Sequence, residues 1–243
     1  MDTKGKFAVV TGSSTGIGRA VAIQLAKEGY YIVLAGRTND KLLVTKSLIT
    51  NAGGQSEVIL GDFSNLDSLR GLITTIKERA SKVDVLVNIA GVWHGKDEVY
   101  AGKDFDSFEE KVVLDTYSIG LIAPTLLARA LIPFMSAGSS IINLSGTFEN
   151  GGKGWLPYYV SKRAIEDLTI GLSQELIDKG IKVNCISPSD TSTEEYKKFF
   201  PEEAKDAQTP EQVAQLFVDL IQKDVTGKVF VIKQGKIEEG FHR

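Results

Sequence analysis

Tyr158 and Lys162 stand four residues apart in a stretch patterned as a helix, so both project from one face. A tyrosine hydroxyl ordinarily titrates near pH 10 and is a poor acid or base at neutral pH. An ammonium beside it favours the phenolate and brings that value down. Such a tyrosine can protonate a carbonyl oxygen as hydride reaches the carbon, or take the proton from an alcohol in reverse. Ser145 precedes Tyr158 by twelve intervening residues and follows the apolar strand Ser140–Leu144. That places its hydroxyl at the carboxyl edge of a sheet, where open α/β sheets bind ligands, within reach of the same carbonyl oxygen. The four-residue spacing by itself is common: Tyr159 stands at the same distance from Arg163.

A second chemical stretch lies near the start of the chain. Phe7-Ala8-Val9-Val10 is a continuous apolar run, as expected for a strand buried on both faces of a parallel sheet. Thr11-Gly12 ends it, Gly16-Ile17-Gly18 follows, and a helical pattern begins at Arg19. Strand, glycine-rich turn and helix bring backbone N–H groups and a positive helix end against a pyrophosphate.

The elements that must carry these residues alternate. Strand-like runs fall at Phe7–Val10, Tyr31–Ala35, Glu57–Leu60, Val83–Asn88, Ser140–Leu144, Lys182–Ile186 and Lys228–Ile232. Helical patterns fall between them at Gly18–Glu28, Asn39–Asn51, Leu66–Ser81, Phe105–Met135, Tyr158–Lys179 and Pro210–Gln222. Alternation of this kind predicts an α/β fold: a doubly wound, seven-stranded parallel sheet with helices on both faces. No linker, repeat or low-complexity tract divides residues 1–243, so a single domain is expected. The polar stretch 189–209 is long for a connection in a compact domain and reads as a substrate lid with a short helix near Glu194–Phe200.

Composition narrows the class. A net charge of −3 offers no basic excess for nucleic acid, and the two histidines and single cysteine lie far apart, with no metal-ligand spacing. One cysteine, Cys185, fits a reducing compartment. The N-terminal residues contain no apolar signal segment, and the apolar region Ile119–Met135 is broken by Pro124, Arg129 and Pro133. A soluble cytoplasmic protein without a membrane partner is expected.

Four motifs, in order, resemble those of the short-chain dehydrogenase/reductase family, over Lys6 to about Gly235. They are Thr11-Gly12 through Gly16-Ile17-Gly18, Asn88-Ile89-Ala90-Gly91, Ser145 with Tyr158-x-x-x-Lys162, and Pro188 with Thr193. The resemblance implies a Rossmann-type domain that moves hydride between a nicotinamide and a carbonyl or alcohol. It implies that Gly12, Gly16, Ile17 and Gly18 hold the pyrophosphate, that Asp62 and Phe63 bracket the adenine, and that Asn88, Ala90 and Gly91 line the adenosine ribose. Pro188 and Thr193 would meet the nicotinamide end. Tyr158 would be the general acid in reduction, Lys162 would lower its pKa and hold the nicotinamide ribose, and Ser145 would orient the carbonyl. A homodimer or homotetramer through the long fourth and fifth helices is implied as well.

Two positions depart from that pattern. Tyr117 stands where the family carries an asparagine of its proton relay, and Ser189 follows Pro188 in place of glycine. The second strand is followed by Arg37-Thr38-Asn39, with no acid until Asp40. An arginine there accommodates a ribose 2′-phosphate, so NADP(H) is expected, with Ser14 and Thr38 as further donors. Trp93, His94, Phe148, Trp155 and Tyr196, with Phe199 and Phe200, are expected to wall an aromatic pocket for a small, fairly apolar ketone, aldehyde or secondary alcohol. His242 carries no assigned role. Two alternatives accompany the carbonyl reductase. One is a 3-oxoacyl thioester reductase, for which Lys197-Lys198 is the only candidate basic patch. The other is an NADP(H)-binding regulatory protein with little turnover.

Overall fold

The structure, a computed structural model, describes residues 5–148 and 151–240, so His242 lies outside the described residues. Eight strands make one sheet: β1 (Lys6–Thr11), β2 (Tyr30–Gly36), β3 (Gln55–Leu60), β4 (Val85–Asn88), β5 (Ser140–Leu144), β6 (Lys182–Pro188), β7 (Val229–Lys233) and β8 (Lys236–Glu239). Their order is β3-β2-β1-β4-β5-β6-β7-β8, and all pair parallel except β8. The strand order reverses between β1 and β4, which opens a crevice beyond their carboxyl ends.

The count of eight corrects the expected seven. β7 turns back through Gln234 and Gly235, both with positive φ (48° and 77°), and pairs antiparallel as Lys233↔Lys236 and Ile232↔Ile237. A two-residue turn of this hand matches strand twist and is usually marked by Asn-Gly or Asp-Gly. Here glutamine holds the first turn position, and β8 has a single apolar residue and is exposed along its length. Neither signal of a strand is strong.

Eight helices cover the faces: α1 (Gly16–Lys27), α2 (Asn39–Asn51), α3 (Leu66–Arg79), α4 (Glu110–Tyr117), α5 (Ala123–Leu131), α6 (Leu156–Glu175), α7 (Glu194–Phe199) and α8 (Pro210–Gln222). Successive strand residues serve opposite faces. Ala8, Val10, Ile32 and Leu34 pack with Leu25 of α1 and Phe217 of α8, whereas Phe7, Val9 and Val33 pack with Leu69 and Leu72 of α3 and Leu127 and Leu131 of α5.

The single helix expected over Phe105–Met135 is instead segmented. A 3₁₀ turn (Phe105–Ser107) precedes α4, a π-helical turn (Ser118–Ile122) joins α4 to α5, and a second 3₁₀ turn (Ile132–Phe134) ends the run. Pro124 explains the joint: it has no N–H for the Gly120 carbonyl, and its ring crowds that carbonyl, so the winding loosens one turn earlier. Pro133 accounts for the terminal tightening. Glu110–Phe134 is long and apolar enough by composition to cross a bilayer, yet Ile119, Ala123, Leu127 and Leu131 are buried in the core against the sheet.

The 189–209 stretch carries α7, as expected. Its two ends are tied together: Thr191 bridges Gln208, and the Ser192 N–H donates to the Gln208 carbonyl at 2.8 Å.

Candidate active site

The turn after β1 is built for close approach. The Thr11 hydroxyl accepts from the N–H groups of Ile89 and Ala90 at 3.0 and 3.3 Å, locking the end of β4 beside β1. Gly12 has φ +68°, and a Cβ there would lie 2.8 Å from the Ala90 nitrogen. A Cβ on Gly18 would meet the Gly12 carbonyl oxygen at 2.2 Å. Only glycine fits either place. The N-terminus of α1 therefore faces the cleft with its first N–H groups free of side-chain caps. This cradle, beside Arg37, Thr38 and Lys41 in the same cleft, fits a dinucleotide phosphate chain.

The cleft has a volume of about 1260 Å³ and runs from Arg37 past the glycine turn to Tyr158 and α7. It gathers Gly12, Ser14, Gly16, Ile17, Gly18, Arg37, Thr38, Asp62, Phe63, Ala90, Gly91, Pro188 and Thr193 from the sequence-predicted cofactor residues. Asn88 is not among its walls. It is 6% exposed, and its side-chain amide donates to Asn143 at 2.9 Å beneath the sheet edge. Burial pushes the Asp62 carboxyl up, but hydrogen bonds from the Ser64 hydroxyl and N–H, with the nearby Arg37 and Lys111 charges, outweigh it and hold the group low. Thr193 caps α7, accepting from the Tyr196 N–H at 3.1 Å.

Tyr158 sits in the first turn of α6, entered through Pro157, and Lys162 lies one turn on. The Lys162 ammonium lies 5.4 Å from the centre of the Tyr158 ring and donates to the Leu144 carbonyl at 2.9 Å. Burial lowers Lys162 to about 8, with Cys185 and Glu166 pulling it back up. Burial also raises the Tyr158 phenol. This is a correction: desolvation outweighs the expected pull of Lys162 on the phenol, and both side chains are pushed toward their neutral forms. A tyrosine held protonated is in the state a proton donor requires.

Ser145 lines the same cleft as this pair. The residue is 2% exposed, and its hydroxyl lies 2.7 Å from Glu166 Oε1 and 3.0 Å from the Lys162 carbonyl oxygen, both on α6. The neighbouring Gly146 faces the tyrosine: a Cβ there would lie 3.6 Å from Tyr158 Oη.

The predicted aromatic residues do converge. Trp93 stacks on Tyr196 at 5.4 Å and on Trp155 at 6.4 Å, and His94 meets Trp155 at 5.4 Å and Phe199 at 4.7 Å. Trp155 and Phe148 flank Tyr158 at 6.1 and 5.6 Å. Burial lowers the His94 imidazole to about 4 and raises the Tyr196 phenol, the latter aided by Asp190.

Sequence patterning missed several participants. Lys41, four residues after Arg37, adds a second cation to the cleft wall and lies 3.8 Å from Glu195 of α7. Arg19 bridges the Ser14 carbonyl (2.6 Å) and Glu194 (3.0 Å), joining the glycine turn to α7. Buried Glu166 pairs with Arg163 at 2.7 Å. Lys198, half of the expected basic patch, is engaged by the Lys96 carbonyl and by Asp97 at 3.0 Å.

Comparison with known proteins follows the same lines. The model of the short chain dehydrogenase family matches residues 6–204. A 3beta-hydroxysteroid dehydrogenase of Mediterraneibacter gnavus is 33% identical over 192 residues, covering 77% of this chain and 67% of its own. The promiscuous reductase LugOII, which catalyses keto-reduction at C1 during lugdunomycin biosynthesis, superposes with a TM-score of 0.82 at 28% identity, covering 93% of this chain and 95% of its own. A short chain dehydrogenase of Shigella flexneri complexed with NADP superposes with a TM-score of 0.83 at 27% identity, covering 93% and 96%. The chain belongs to the short-chain dehydrogenase family of oxidoreductases.

Proposed function

We propose that the protein is an NADP(H)-dependent carbonyl reductase, acting in reverse as an alcohol dehydrogenase. The observation that carries this reading is Tyr158, with the Lys162 ammonium 5.4 Å from its ring centre, in one cleft with the glycine turn. The turn from Gly12 to Gly18 would hold the pyrophosphate. Arg37 and Lys41, with Ser14 and Thr38, would hold the 2′-phosphate. Asp62 and Phe63 would flank the adenine, with Ala90 and Gly91 at the adenosine ribose and Pro188 and Thr193 toward the nicotinamide. Bound there, the nicotinamide supplies or accepts hydride. Tyr158 donates the phenolic proton to the developing alkoxide. One of the three donors of Lys162 goes to the Leu144 carbonyl; we assign the other two to the nicotinamide ribose. Ser145 we assign to holding α6 through Glu166.

The aromatic wall supports an apolar, ring-bearing ketone, in keeping with the names of the hydroxysteroid and keto-reducing relatives. The thioester reading loses support with Lys198 engaged by Asp97. A binding protein with little turnover has support in the direction of Ser145 and in Tyr117. We assign the protein to the cytoplasm on its free, buried Cys185, and we propose a dimer through exposed Leu114, Ile122, Leu156 and Val160 on helices that meet where Gly120 abuts Ser161. Light scattering at the monomer mass would remove that assembly. The function is tested by following NADPH oxidation against ketones, aldehydes and 3-oxoacyl thioesters, with NADH in parallel. Turnover of ring ketones is expected; NADPH binding without turnover across the panel selects the binding protein.

A further inference from the structure

His94 presents a hydrogen-bond donor that has no partner among the described residues. Its Nδ1 accepts from the Tyr100 N–H at 3.0 Å, which places the proton of the neutral ring on Nε2. Burial, which lowers the imidazole to about 4, keeps the ring neutral at physiological pH. Nε2 is buried and has no partner among the described residues. Around it stand Trp93, Phe199, Trp155 and Phe200, with ring centres at 4.0, 4.7, 5.4 and 5.7 Å. A buried donor left unmet is costly, so a ligand that meets it gains affinity.

His94 also lines the cleft of Tyr158. Trp155 links the two, its ring centres 5.4 Å from His94 and 6.1 Å from Tyr158. Resting on the carbonyl reductase reading, we infer that His94 is a specificity-determining residue whose Nε2–H binds a second, uncharged oxygen of a ring ketone, away from the carbonyl that Tyr158 protonates. An ether, phenol or second carbonyl oxygen meets the requirement.

The test uses the NADP⁺-loaded protein, in which Trp93 and Trp155, the only two tryptophans, report binding by fluorescence quenching. The probes are 1-tetralone and its isomers bearing one methoxy group at different carbons of the aromatic ring. At least one isomer is expected to bind about tenfold more tightly than 1-tetralone, the effect of one good hydrogen bond. His94→Phe should erase that preference and leave NADP⁺ affinity within about twofold. His94→Gln, which keeps a neutral N–H donor, should restore part of it. Equal binding of all isomers by the wild-type protein overturns the inference, as does a preference that survives in His94→Phe. Failure of every tetralone to bind, with NADP⁺ bound, overturns this inference, whereas the carbonyl reductase reading falls only if NADPH oxidation also fails across the ketone and aldehyde panel.

Discussion

The Ser145 hydroxyl lies 2.7 Å from buried Glu166, while the position that faces Tyr158 Oη at 3.6 Å belongs to Gly146, which has no side chain. We propose that this serine supports α6 through Glu166. Ser145→Ala should lower kcat by less than about tenfold, yet destabilise the fold by about 1–3 kcal/mol, since Glu166 loses a buried partner. Gly146→Ser introduces a hydroxyl where the geometry has room for one. It should raise kcat on a small aryl ketone by about ten- to a hundredfold, the scale of one donor placed at a developing oxyanion. Steady-state kinetics and urea melts on both variants decide the matter. A folded Ser145→Ala variant slowed more than about a hundredfold would return the serine to the substrate.

Tyr158→Phe removes the proton donor and little else, because the ring keeps its contacts with Phe148 and Trp155. Reduction should fall by at least about 10²-fold, with NADPH affinity within about threefold of wild type. Fluorescence titration beside the kinetic assay separates the two. Retained turnover would show that another group protonates the product.

The residues of the site were easier to read in the sequence than their directions. Strands buried on both faces announce themselves as apolar runs, which is why β1, β2 and β5 were legible. β8, exposed and led by a glutamine turn, was not. The glycine turn was legible because its tight packing tolerates no Cβ at Gly12 or Gly18. Ser145 shows the opposite case: residue spacing fixes distance along the chain, but the partners of its hydroxyl, Glu166 and the Lys162 carbonyl, are supplied only by the folded α6. The tyrosine–lysine pair was legible as a pair, whereas the sense of its pKa shifts depended on burial, which only the folded α6 and β5 provide.

Lys162, lowered from 10.5 to about 8, makes stability depend on pH in a defined sense. Between about 8 and 10.5 the unfolded chain holds this proton and the folded chain does not, so the contribution of Lys162 to stability grows as pH rises through that window and is lost as pH falls through about 8. The melting temperature of wild type relative to Lys162→Met should therefore increase between pH 7 and pH 10.5. Reduction should move the other way, declining as pH rises through about 8 and the ammonium behind Tyr158 is lost. Calorimetry and kcat/KM profiles on the same preparations check both; a difference in melting temperature that is flat with pH would mean the lysine is not desolvated in solution.

We propose that coenzyme choice rests on two cations. Arg37 and Lys41 both line the cleft, and the present partner of Lys41, Glu195, is an exposed one at 3.8 Å. Such a pair is worth about 0–1 kcal/mol, so a doubly charged phosphate diverts it easily. Hydrogen bonds to charged groups are worth about 1.5–3 kcal/mol each. Arg37→Ala and Lys41→Ala should each weaken NADPH about ten- to a hundredfold and leave NADH nearly unchanged. Glu195→Gln, which frees Lys41, should tighten NADPH by up to about fivefold. Titrations of all four proteins with both coenzymes give the answer, and wild-type protein that binds NADH as tightly as NADPH would remove the 2′-phosphate site altogether.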